Sequence, residues 1–144
     1  MAEAAAVQPK PVVPFLKFAS NGRPFLEGQK CGKCGAVYEG ERQACAKCFA
    51  RGSFSTIKLA DTGKLYTYTI VHRSFPGVEV PFVSAVVDLD GGGTIKGNLI
   101  GIEPDPKKIE MGMPVEIVFE DAGRTDKEGN RYVSYFFKPK AKSK

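Results

Sequence analysis

Two Cys-x-x-Cys pairs, Cys31–Cys34 and Cys45–Cys48, stand ten residues apart and constrain this chain more than any other feature. Each pair places two sulfurs near one point. A spacer of that length holds a short hairpin that brings the two points together. Gly35 directly follows the first pair, where a tight knuckle needs a flexible backbone. Four thiolates at the corners of a tetrahedron suit zinc, and they also suit iron as a lesser alternative. With every corner taken by sulfur, no position is left for water, so such a site is structural rather than catalytic. The spacing therefore predicts a rubredoxin-like zinc ribbon over residues 29–52.

The same four cysteines could instead form two disulfides, a redox dithiol, or no bond at all. Disulfides belong with export, and no basic segment followed by an apolar core opens the chain. A redox Cys-x-x-Cys belongs at the start of a helix in a βαβ unit, and no such unit is visible. Paired spacing of this kind argues against unbonded cysteines.

Beyond the ribbon, the 144 residues allow one domain, or one small domain with an appendage. Hydrophobic residues at 42% and charged residues at 26% give a globular balance. No apolar run reaches the roughly 18 residues of a membrane span, and a cytoplasmic protein is expected. The net charge of +5 is unevenly spread. It comes from the first third and from Lys138, Lys140, Lys142 and Lys144, while residues 59–137 carry eight basic against twelve acidic side chains.

Residues 1–28 read as a loose tail followed by a docking arm or helical turn. Pro9, Pro11 and Pro14 exclude a regular helix at its start. Phe15, Leu16 and Phe18 supply apolar contacts, either to a partner or to the chain's own ribbon. From residue 53 to 139 the pattern is that of strands. Phe54–Leu59 alternates, Asp61-Thr62-Gly63 reads as a turn, and Lys64–Val71 is aromatic and β-branched. Phe82–Leu89 reads as a strand buried on both faces. After the turn Asp90–Gly93 come Thr94–Ile100, Val115–Phe119 and Tyr132–Phe137. Five or six short strands with one longer connection fit a mainly β chain with a small OB-fold barrel, a sandwich being the alternative. Residues 140–144 form a basic tail.

These residues together resemble a zinc-ribbon and OB-fold family associated with thiolases, once called domain of unknown function 35. The likeness covers about residues 15–139. It is carried by Cys31-Gly32-Lys33-Cys34-Gly35, Arg42, Cys45 and Cys48, then Thr62–Val71, Val80-Pro81-Phe82, Met111-Gly112-Met113 and Phe136-Phe137-Lys138-Pro139. Two departures stand in the ribbon: Gly40-Glu41 replace the family's paired prolines, and Ala46 replaces the proline after the third cysteine. They should soften the hairpin without removing a ligand. The resemblance implies an accessory subunit of a thiolase-like enzyme, forming a hetero-oligomer that acts on acyl-CoA substrates.

An independent enzyme needs a nucleophile and a base within reach. His72 is the only histidine, and the cysteines are spoken for by metal. Gly91-Gly92-Gly93 is a hairpin turn rather than a phosphate loop, since no Lys-Ser/Thr follows. His72 alone reads as a strand-end residue. Beside Arg73, and with Lys96 as a weaker companion, it could meet the phosphates of coenzyme A on a shared surface. Single-stranded nucleic acid is the competing ligand for an OB barrel, with Tyr66, Tyr68, Phe75 and Phe82 as candidate stacking rings. The excess of acid over base across residues 59–137 opposes it. Tyr66, Tyr68 and Ile70 share one face of a strand, which core packing explains at least as well.

Overall fold

A computed structural model describes residues 9–140, and every regular element in it is a strand. In chain order these are β1 (Lys10–Pro11), β2 (Leu16–Phe18), β3 (Pro24–Cys31), β4 (Val37–Glu39), β5 (Phe54–Lys58), β6 (Thr62–Val71), β7 (Phe82–Leu89), β8 (Thr94–Leu99), β9 (Pro114–Thr125) and β10 (Arg131–Pro139). Residues 1–8 of the expected tail, and Lys142 and Lys144 of the basic tail, lie outside the described residues. Among those described, no helix is long and apolar enough to cross a membrane.

The barrel is built from β6 to β10. The meander β6–β7–β8 is antiparallel, β8 lies parallel to β10, β10 pairs antiparallel with β9, and β9 returns to β6. Five strands in this order form a closed barrel of the OB type, as the strand pattern indicated. The expected sixth strand is β5, which pairs with β3 instead.

Alternation fixes the inside. Along β7, Val83, Ala85, Val87 and Leu89 are buried, and the residues between them are only partly covered or exposed. One face, not both, is therefore sealed: Phe82, Ser84 and Val86 on the other are only half-covered, and Asp88 is exposed. Leu65, Ile95, Val115 and Phe137 complete the interior from the other strands. Each such side chain contributes about 1.5–3 kcal/mol by leaving water.

Two strand readings need correction. The turn expected at Asp61-Thr62-Gly63 ends earlier: Thr62 and Gly63 already pair with β9, and Gly63 with Leu89 of β7. Glycine is required here because a Cβ would lie 2.4 Å from the Asp88 carbonyl oxygen. In addition, Tyr66, Tyr68 and Ile70 do not share a face. The β6–β7 register slips between Leu65 and Thr67, so an extra residue turns the strand over. Tyr66 is thrown outward at 63% exposure, while Tyr68 and Ile70 pack against the core.

The arm is also more ordered than its prolines suggested. β1 runs parallel to β10, with Lys10 opposite Tyr132, and Lys10 Nζ donates to Asp126 Oδ2 at 2.6 Å. The helical turn considered for residues 15–18 is the strand β2, paired with the first half of β3. Leu16 is fully buried and Phe15 and Phe18 pack on the same core, so these side chains serve the chain's own fold. The second half of β3 carries β4 on one edge and β5 on the other. Gly92 and Gly93, both with positive φ, let the β7–β8 turn approach Val37 of β4 closely. The ribbon thus rests on the barrel end that holds this turn.

Candidate metal centre

Cys31 ends β3, which delivers it buried at the base of the ribbon. The chain turns at once: the Gly35 amide donates to the Cys31 carbonyl at 2.9 Å, and Gly35 takes a φ of 79°. The second knuckle repeats this step. The Phe49 amide donates to the Cys45 carbonyl at 2.9 Å, and Phe49 takes a φ of 64°. The return bonds match as well, Cys31 N to Ala36 O at 2.8 Å and Cys45 N to Ala50 O at 2.9 Å.

The two knuckles bring all four sulfurs within 4.8 Å of one another, and none is in a disulfide. Sulfurs 2.3 Å from one tetrahedral ion sit about 3.8 Å apart. Here Cys31 and Cys48 are separated by 3.7 Å and Cys34 and Cys45 by 3.4 Å. The donor set and its spacing fit a structural metal ion.

Electrostatics supports the same reading. The Tyr38 hydroxyl, at 3.4 Å, and then the amides of Cys48 and Lys47 favour the Cys45 thiolate and pull its pKa down to about 6. The amides of Cys34 and Lys33 lower that of Cys31. For Cys34, the Ala36 amide acts in the same sense, but burial and the neighbouring sulfurs outweigh it and push the thiol up to about 11. Four thiolates in one place need a cation between them.

Tyr38 is a residue that sequence reasoning missed. It comes from β4, bonds the Cys45 sulfur, accepts the Ala46 amide at 3.1 Å, and lies under the Arg42 guanidinium at 5.0 Å. The Ala46 departure acquires a physical sense here, since proline would have no N–H to give. Gly40, at a φ of 67°, likewise adopts a conformation closed to proline. Phe49 was missed too, although setting the second Cys-x-x-Cys beneath the first would have shown it in the place of Gly35.

The remaining candidates are not gathered into one site. His72 and Arg73 are exposed in the segment after β6. Lys96 lies on β8 in a shallow cavity with Glu39 and Tyr135. Its rung is Val86, whereas β6 ends opposite Phe82, so roughly 13 Å of β7 separates them. The rings are also dispersed: Phe75 is 83% exposed in the loop, while Tyr68 is inside and Phe82 is half-covered.

Comparisons with known proteins agree with this architecture. Residues 56–120 match the family described as the ChsH2 C-terminal OB-fold domain. A DUF35 domain-containing scaffold protein of Methanocaldococcus jannaschii is 36% identical, over 81% of this chain and 83% of that protein. The probable enoyl-CoA hydratase alpha subunit of Thermomonospora curvata is 38% identical over 81% of this chain, but only 37% of its own length. The benzoylsuccinyl-CoA thiolase subunit BbsA of Thauera aromatica is 26% identical over 86% and 83%. Among solved structures, the Ltp2-ChsH2(DUF35) aldolase superposes with a TM-score of 0.62 at 33% identity, over 80% of this chain and 84% of that one. The chain belongs to the DUF35 family.

Proposed function

We propose that this chain is a non-catalytic accessory subunit of a cytoplasmic enzyme complex that acts on acyl-CoA thioesters, with a thiolase-type subunit as its partner. The likeness to BbsA along most of both chains carries the reading. The hydratase and aldolase relatives support the wider class of acyl-CoA complexes. The chain's own chemistry points the same way. Its single histidine is exposed and its cysteines are grouped in the ribbon, so among the described residues no thiol or hydroxyl is paired with an imidazole base.

The metal is zinc in this reading, held by Cys31, Cys34, Cys45 and Cys48. Zinc in such a set supplies charge neutralisation and a crosslink, not reactivity. Phe75, at the tip of the β6–β7 loop, is an exposed apolar anchor for the partner. Arg73, two residues before it, would meet the CoA phosphates at the joint surface, with His72 beside it; Lys96 is the weaker candidate because of its distance.

The test is to express the candidate thiolase subunit with and without this chain and to measure assembly and turnover on acyl-CoA. Co-elution and a turnover that needs both chains are expected. Equal turnover alone and separate elution would reject the reading. If the complex forms but Arg73→Ala leaves the KM for acyl-CoA unchanged, only the phosphate contact is wrong.

A further inference from the structure

Phe49 is the one non-glycine residue with positive φ among those described, and it is 82% exposed. A left-handed backbone is unfavourable for any side chain with a Cβ, and the matching place in the first knuckle is glycine. A large ring held in that conformation and turned to water gains nothing in the isolated chain. The neighbouring charges are of one sign: Lys47 and Arg51 are exposed two residues to either side, and no carboxylate occurs between Glu41 and Asp61.

The geometry points to the ribbon tip, Phe49 with Lys47 and Arg51, as a second docking anchor, one that seats in an apolar pocket rimmed by carboxylates on the partner subunit. The inference rests on the accessory-subunit reading and assigns a surface to it. An exposed ring with a cation two residues to either side in the chain matches the anatomy of interfaces, in which an apolar centre is desolvated and charges at the rim steer the encounter. The partner is a protein rather than a nucleic acid because a single strand needs successive rings along a basic groove. Phe49 is solitary on its turn. The tip is also remote from Phe75. The ribbon rests on the β7–β8 turn through Val37, at the barrel end opposite the β6–β7 loop. The two anchors therefore meet different parts of the partner assembly.

The experiment measures binding of the full-length chain to the purified thiolase-type subunit, with melting of each variant alone as the folding control. Phe49→Gly should weaken binding about ten-fold or more, while its Tm holds or rises, since glycine suits the conformation. Exchanging both cations, Lys47→Glu with Arg51→Glu, should slow association and reduce its dependence on salt. A Kd for Phe49→Gly within about two-fold of wild type, where one kcal/mol would be about five-fold, would overturn the proposal while leaving the complex itself intact. Absence of any wild-type complex would overturn the accessory reading and this inference with it. Salt-resistant binding of an oligothymidylate, lost in Phe49→Gly, would assign the tip to a nucleic acid and equally overturn it.

Discussion

At the scale of single residues, the centre depends on a contact the sequence does not advertise. The cysteines were legible because their chemistry and spacing are local: each pair closes its own turn. Tyr38 was not, because it acts on Cys45 only after β4 has folded across the second knuckle. Its hydroxyl donates to the sulfur and accepts from the Ala46 amide, so it fixes both the ligand and the turn that bears it. Groups in this position tune a metal site by about 10- to 100-fold in affinity. Tyr38→Phe keeps the ring under Arg42 and removes only the hydroxyl. Zinc affinity, followed by competition with a chromophoric chelator, should fall at least about ten-fold, with the folded far-ultraviolet spectrum retained. Unchanged affinity would show that the amides alone hold Cys45.

At the scale of elements, the strands of the barrel were readable from alternation, and two local features were not. The slip in β6 depends on its pairing with β7, and no residue in Leu65-Tyr66-Thr67 announces it. β1 was hidden for a similar reason. Two residues with a proline have no pattern of their own, and they are placed by the distant turn Asp126–Asn130. The Lys10 ammonium, then the Asn130 side chain, hold the Asp126 carboxyl well below its ordinary value of 3.8. A lowered carboxyl stabilises the folded form at every pH above its ordinary value. That contribution is lost as the pH falls below 3.8 toward the lower folded value. β1 should therefore stay docked at neutral pH and loosen only in acid. Asp126→Asn should lower hydrogen-exchange protection of the Val12 amide, which bonds the Val133 carbonyl at 3.0 Å. The gap to wild type should close as the pH drops below 3.8. A gap that persists in acid would mean that the Asn130 contacts, not the charge, place the strand.

For the molecule as a whole, the question is how far the ribbon depends on metal when it shares strands with a barrel that has its own core. Between Cys31 and Leu59, the only deeply buried apolar side chain is Cys45, itself one of the four clustered sulfurs. Beyond β3 the ribbon thus has no fully buried apolar side chain other than this sulfur, although Val37 and Ile57 are partly buried against the barrel core, so a bound metal would carry much of the cost of ordering it. Structural zinc in small folds supplies about 10–16 kcal/mol at neutral pH, a contribution that is withdrawn with the ion. The barrel stands on different ground. Leu65, Val83, Val87, Ile95, Val115 and Phe137 are buried by one another's strands, and Leu16, Leu26 and Leu59 join them from β2, β3 and the residue after β5. Chelation should therefore erase hydrogen-exchange protection across residues 32–53 and leave β6 to β10 protected. β3 is the hinge of the experiment, because its first half is tied to β2 and the core while its last residue belongs to the sulfur cluster. Protection there should survive at Leu26 and fade toward Cys31. Cys45→Ser should reproduce the chelated pattern without chelator. Simultaneous loss of protection in β6 to β10 would show instead that the β7–β8 turn, seated against Val37, makes ribbon and barrel one cooperative unit.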